Sequence, residues 1–219
     1  MSTPSADPPP PARQAPPPVA VPVAEAWREP RLARWVTEAC SPGVLLLIVL
    51  CAVGLHATGS AAGLGWALLT VLLCCVLPYG FVLFGVARGW WADWHITDRE
   101  QRTVPLLVGV GCVAVAVVLL WSLPGAPRDL AALVVAILAG GATTVAVTLW
   151  WKISVHTAVA AGATAVLITT FGQALLLTAL LPLLTGWSRV ALRDHTLAQV
   201  VAGGAQGALI GAVGYSLLR

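Results

Sequence analysis

Thr169-Thr170-Phe171-Gly172-Gln173-Ala174-Leu175 sits, without a charge, in the middle of an apolar run that reaches from His156 to Gly186. Whether that run is one helix or two decides the fold. A single helix over 157–186 is longer than a ~30 Å hydrocarbon layer requires, and it carries the polar residues at its two ends to opposite faces. Two helices, over roughly 156–170 and 173–185, are short for the layer, but they make a hairpin whose polar ends meet on one face. Gly172 and Pro182 interrupt the run, as a turn and a break in helical hydrogen bonding do. Both readings are open on the sequence, and the hairpin is the one followed below.

Outward from that stretch, further apolar runs fall at roughly 43–59, 63–86, 104–122, 130–149 and 197–217. Of the 219 residues, 58% are hydrophobic and 10% charged, which excludes an ordinary soluble domain and indicates a polytopic membrane protein. The expected fold is an all-α bundle of six to seven transmembrane helices over 43–219. A charge at a helix centre costs on the order of 3 kcal/mol, so the charged residues mark the loops. Residues 1–24, with Pro8 to Pro11 consecutive, cannot bury a core and are expected to form a disordered or polyproline-like tail without a signal-peptide pattern. Over 25–42, Trp27, Leu32, Trp35 and Val36 alternate with Arg28, Arg31 and Arg34, the pattern of an amphipathic helix at an anionic membrane surface. Cys40, Cys51, Cys74, Cys75 and Cys112 lie in or beside apolar runs without Cys-x-x-Cys spacing, so they read as small hydrophobes.

The hairpin gives the basic residues a strong asymmetry. Arg13, Arg28, Arg31, Arg34, Arg88, Arg99, Arg102, Lys152, Arg189 and Arg193 fall on one side, and only Arg128 and Arg219 on the other. By the positive-inside rule the N-terminus and the polar islands are expected in the cytoplasm. Trp90, Trp91, Trp94, Trp150, Trp151 and Trp187 collect at the same interface, where tryptophan usually anchors at headgroup depth.

Three polar islands share that face: Asp93–Pro105, Lys152–His156 and Ser188–Gln199. The third reads Ser188-Arg189, five residues, His195, three residues, Gln199. The second keeps Ser154 and His156. In the first, Arg102 follows Asp98-Arg99-Glu100-Gln101, with His95 seven residues before it and Thr103 after it. Taken in order over about 93–217, these islands resemble the motifs of the type 2 phosphatidic-acid phosphatases, which share a core with vanadium haloperoxidases. That family's third motif is Ser-Arg, five residues, His, three residues, Asp. Its second is Pro-Ser-Gly-His, and its first is Lys, six residues, Arg-Pro.

The resemblance implies a lipid phosphate phosphatase with that family's core. His195 would be the nucleophile, forming a phosphohistidine, and His156 the acid that protonates the departing alkoxide. Arg102, Lys152, Ser154, Ser188 and Arg189 would bind the phosphate, whose charge grows on its equatorial oxygens in the transition state. Gln199 stands where the family has Asp. One helical turn after His195, its carbonyl is placed to accept the imidazole N–H and hold one tautomer, without the charge of a carboxylate. Arg193 and Asp194 are expected to pair in the loop. His56 and His95 read as interfacial polar residues. The expected partners are a lipid phosphate and the bilayer, with no nucleic acid, no cofactor and no metal. The alternative is an inactive relative that binds or moves anionic lipids.

Overall fold

The computed structural model describes residues 31–91 and 99–219. The tail expected over 1–24, the first six residues of the segment 25–42, and His95 lie outside the described residues. Within them the chain is helical and contains no strand. Six helical stretches are long and apolar enough to cross a membrane. In chain order the elements are α1 (Arg31–Ala39), α2 (Pro42–Thr58), α3 (Ala61–Ala87), α4 (Arg99–Ser122), α5 (Arg128–Thr148), α6 (Val155–Phe171), α7 (Gln173–Ala191) and α8 (Leu197–Leu218). The α1 and α2 helices together form one apolar stretch of 28 residues, broken at Ser41, whose extended backbone precedes Pro42. The 17 residues of α6 make it the short member.

Proline and glycine account for the irregular segments. In α3 the ring of Pro78 removes the N–H that would bond the carbonyl of Cys74, and a π-turn over Leu72–Val76 shifts the hydrogen-bond register just upstream. The first part of α7, Gln173–Ala179, is a 3₁₀ turn leading to Pro182. Thr178 O, which Pro182 deprives of its helical donor, accepts the hydroxyl of Thr164 at 3.0 Å.

That contact settles the decisive stretch. Gly172 has φ +85°, in the left-handed region where glycine is favoured, and the chain reverses there. Thr164 meets Thr178 halfway along, and Thr157 lies beside Gly186 near the other end, so α6 and α7 are an antiparallel hairpin. A single helix over 157–186 is excluded.

The tightest packing joins α6 to α8. Gly203, Gly207 and Gly211 recur every four residues on α8, and a Cβ on any of them would stand 2.4 Å from Ser154 O, 1.9 Å from Ala158 O and 2.6 Å from Gly162 O, respectively. Small residues at this spacing let two membrane helices approach backbone to backbone, where van der Waals contact replaces the hydrophobic drive that water would supply. The core between the helices is filled by residues such as Leu50, Val53, Leu130, Val134, Ala160 and Tyr215.

The two ends of the bundle differ. At one end are the turns at Gly59, Gly125 and Gly172, with His56 edge-on to Phe171 at 4.9 Å and Arg219 donating to Thr169 O at 2.9 Å. At the other end, α3 stops at Arg88 and α5 leads to Lys152, while α7 ends just before Arg193. Among the described residues the basic asymmetry of the sequence is thus an asymmetry of the bundle. The tryptophans at that end divide into two kinds. Trp90, Trp150, Trp151 and Trp187 are exposed, but Trp91 is 8% exposed. It fills the space that the missing side chain of Gly85 leaves, donates from Nε1 to Val82 O at 2.9 Å and packs on Phe81 and Trp90. It is a core residue rather than an interfacial anchor. All five cysteines are free thiols; Cys40 and Cys74 are buried.

Candidate functional site

The third island is built by the end of α7. Leu192 N–H bonds Ser188 O, Arg193 N–H bonds Val190 O, and Asp194 N–H bonds Arg189 O at 3.1 Å. This closes the helix with a pair of reversed hydrogen bonds of the Schellman type. The left-handed position belongs to Arg193, at φ +58°, where such ends usually place glycine. The consequence is directional: the chain folds back, and Asp194 faces the last turn of its own helix. Asp194 Oδ2 meets Arg189 Nη2 at 2.9 Å. The expected pairing of Arg193 with Asp194 is therefore replaced by Arg189 with Asp194, because the reversal turns adjacent side chains apart while bringing residues five apart together.

Arg189 is only 3% exposed, a buried cation held by one carboxylate, with Glu38 of α1 adding a favourable charge. Its Nε is buried and makes no hydrogen bond among the described residues, and the same holds for the hydroxyl of Thr185 one turn earlier on the same face. Buried donors without acceptors cost roughly 1–3 kcal/mol each, so they mark places where an acceptor is wanted. Thr185 was not singled out by the sequence reading, since a threonine within an apolar helix carries no signal of its own.

The last helix starts at Leu197, where the last apolar run of the sequence begins. Thr196 is its N-cap, and Gln199 completes a capping box: Gln199 N–H to Thr196 Oγ1 at 3.3 Å and Thr196 N–H to Gln199 Oε1 at 3.1 Å. The signature Thr-x-x-Gln was legible in the sequence. His195, 6% exposed, lies just before the cap with Nδ1 at 3.1 Å from Gln199 Oε1. Because Oε1 already accepts the Thr196 N–H, the amide orientation is fixed and Nδ1 must be the protonated ring nitrogen. In the neutral ring Nε2 then carries the lone pair.

The second island closes on the third. Lys152 Nζ donates to Asp194 O at 2.8 Å, and Ser154 N–H donates to Gln199 O at 3.2 Å. His156, half-buried, occupies the first turn of α6, two residues after the N-cap Ser154. The structure thus brings together Lys152, His156, Arg189, His195 and Gln199 at one end of the bundle.

The two serines serve the scaffold. Ser154 is fully buried and caps α6, its Oγ accepting the Thr157 hydroxyl at 2.6 Å and the Thr157 N–H at 3.4 Å. Ser188, also fully buried, donates to Thr185 O at 2.7 Å and shares a 3.0 Å hydrogen bond with Thr37 of α1. Both hydroxyls are engaged in helix packing, and Ser188 ties α1 to α7. On α1 itself Ala33 and Thr37 are buried against the bundle, while Arg31, Leu32, Arg34 and Trp35 are exposed. Arg102 falls in the first turn of α4, whose next turn, with Pro105 and Leu106, borders the same internal cavity as Val155 beside His156. The Arg102 side chain lies outside the described residues.

No family model matches the chain, and no curated protein or solved structure matches it either.

Proposed function

We propose that this membrane protein is a lipid phosphate phosphatase of the type 2 phosphatidic-acid phosphatase kind. Its substrate on this reading is the phosphate monoester or pyrophosphate of a phosphatidate-like or polyprenyl lipid. The observation that carries the reading is the His195–Gln199 contact beside the buried Arg189, which holds the ring by Nδ1 and, in the neutral imidazole, leaves the lone pair on Nε2. A nucleophile at phosphorus requires that tautomer, and a phosphate requires that charge. Nε2 of His195 attacks phosphorus, the ester P–O bond breaks, and His156 gives its proton to the leaving alkoxide. Neutral His156 then takes a proton from water, which cleaves the P–N bond, frees phosphate and restores His195. Lys152 and Arg189 hold the phosphoryl oxygens, and Arg102 is assigned to the same anion by its motif position. No metal enters the scheme.

Phosphate release from a panel of lipid phosphates by the purified protein with chelator present tests the reading. Release that is abolished in His195→Ala supports it, and equal release by wild type, His195→Ala and His156→Ala overturns it. Gln199 orients His195 but gives the developing imidazolium no counter-charge. Gln199→Glu keeps the length of the capping box and adds a carboxylate, and a hydrogen bond to a charged group exceeds a neutral one by about 1 kcal/mol. Turnover is expected to rise about fivefold to tenfold, measured as kcat on the best lipid of the panel.

Asp194 occupies Arg189 where an anion would bind. Asp194→Asn keeps the shape and removes the competing charge, so inorganic phosphate and vanadate are expected to inhibit at about tenfold lower concentration. A second reading, an inactive relative that binds anionic lipid, draws on this same internal ion pair and on the uncharged Gln199. Binding of lipid phosphate without release from any member of the panel would favour it. The site is placed at the cytoplasmic face on the charge asymmetry. A cysteine replacing Thr103 in a cysteine-free background is expected to react with an impermeant maleimide from the cytoplasmic side only.

A further inference from the structure

Beneath the polar end, the helices do not close on one another. A cavity of about 310 Å³ lies between α2, α3, α4, α5, α6 and α8. Its lining reaches from Pro42 and Val155, the first residues of α2 and α6, inward to Val113 and Val166. Along α6 that is eleven residues, or roughly 16 Å at 1.5 Å per residue. No residue from the turns at Gly59, Gly125 or Gly172 borders it, so the cavity reaches from beneath the polar cluster past the middle of the bundle, to Leu133 and Val166, and stops short of the opposite end.

We infer that this cavity takes up one hydrocarbon chain of the lipid whose phosphate the polar cluster binds; the identity of the head rests on the function proposed above. Three features lead there. First, the wall is apolar apart from Gln206 and Thr144: Gln206 Nε2 donates to Gly140 O at 3.0 Å and to Thr144 Oγ1 at 3.2 Å, while its buried Oε1 accepts no hydrogen bond among the described residues. An apolar void stays dry, and one of roughly half this volume (~150 Å³) already accepts a hydrocarbon guest. Left empty, it would forfeit contacts in proportion to its size. Second, the room is made by the sequence. A Cβ on Gly109 would find Pro78 at 3.9 Å, and one on Gly140 would find Ile210 at 3.9 Å, with nothing nearer in either case. Third, the cavity is continuous with the site through shared elements. Val155 separates the cap Ser154 from His156, and Gln206 stands two turns below Gln199 on the same face of α8.

A second apolar groove runs along the outside of α7 and α8, past Leu183, Trp187, Leu197 and Val201. Its floor faces outward, and any bilayer chain can coat it without being selected. The internal cavity is walled by six helices, α2 to α6 and α8, so a chain inside it meets side chains on several sides, and its length and thickness are read there.

The probe is a long-chain phosphatidate carrying a diazirine in the far half of one acyl chain, photolysed on the full-length protein in lipid nanodiscs. Adducts are expected on α4, α5 and α6 at positions such as Val113, Ile137 and Val166. Gly109→Leu and Gly140→Leu fill the cavity and are expected to lower those adducts at least about fivefold. Gly111→Leu, on α4 where open space surrounds the Cβ, is expected to leave them unchanged and serves as the control for folding. Adducts confined to Leu183, Val201 and other outward residues, or inner adducts that persist in both filled variants, overturn the inference. The readout is binding, so it does not depend on turnover. If the phosphatase reading fails while inner adducts appear, the cavity still holds a chain and only the chemistry of the head is wrong.

Discussion

Replacing His195 by alanine is expected to lower lipid phosphate release by at least ~10⁴-fold, because on the proposed chemistry the substitution removes the attacking atom itself rather than a group that assists it. The expected loss for His156→Ala is smaller, roughly 10²–10⁴-fold, the range for a group that moves a proton. Its size should also depend on the leaving group: an ester of an acidic alcohol needs little protonation and should be nearly indifferent to His156. His195→Ala should be equally inactive on every ester. His195 is buried at the N-terminal end of α8, so thermal stability measured in parallel separates lost chemistry from lost structure.

The second large effect concerns the scaffold. Gly207→Ala places a methyl group 1.9 Å from the backbone carbonyl oxygen of Ala158, which has no flexible atom to move. The two helices must separate, and the neighbouring contacts of Gly203 and Gly211 are lost with them. Destabilisation is expected at or above the upper end of the ~1–3 kcal/mol typical of overpacking. Gly204→Ala, on the adjoining face with open space around it, is expected to change nothing. Thermal unfolding in mild detergent compares the two. Because α8 carries Gln199 and meets Ser154 through its backbone, the first variant should also lose the site, whereas the second should not.

Much of this was legible in the sequence, for reasons that differ from element to element. The helix spans followed from the cost of charge in hydrocarbon, and the hairpin from Gly172 and Pro182, residues whose backbone chemistry has local consequences. The His195–Gln199 contact was expected from helical spacing, yet it forms with His195 outside the helix, because the Gln199 side chain reaches back over the cap. The capping box at Thr196 lies in the same letters, Thr-x-x-Gln, and the Gln199 amide oxygen serves both the cap and the imidazole. The Arg189–Asp194 pair was not legible. It depends on Arg193 adopting a left-handed conformation that its side chain does not favour, and nothing local announces that choice. The structural use of Ser188 depends on α1 docking against α7 through Thr37, 151 positions away in the chain. Trp91 shows the same limit: an interfacial anchor and a core residue filling the notch of a glycine have identical composition, and only Gly85 across the turn distinguishes them.

The central claim is that His195 forms a covalent bond to phosphorus in a site where the two polar islands meet. The most direct measurement is to mix the purified protein with a lipid phosphate radiolabelled at phosphorus, quench in alkali and follow label on the chain. Wild type should carry label that survives alkali and is released by acid, the signature of a phosphohistidine, and His195→Ala should carry none. Equal label on His195→Ala, or phosphate release by wild type with no labelled protein at any time, would contradict the account.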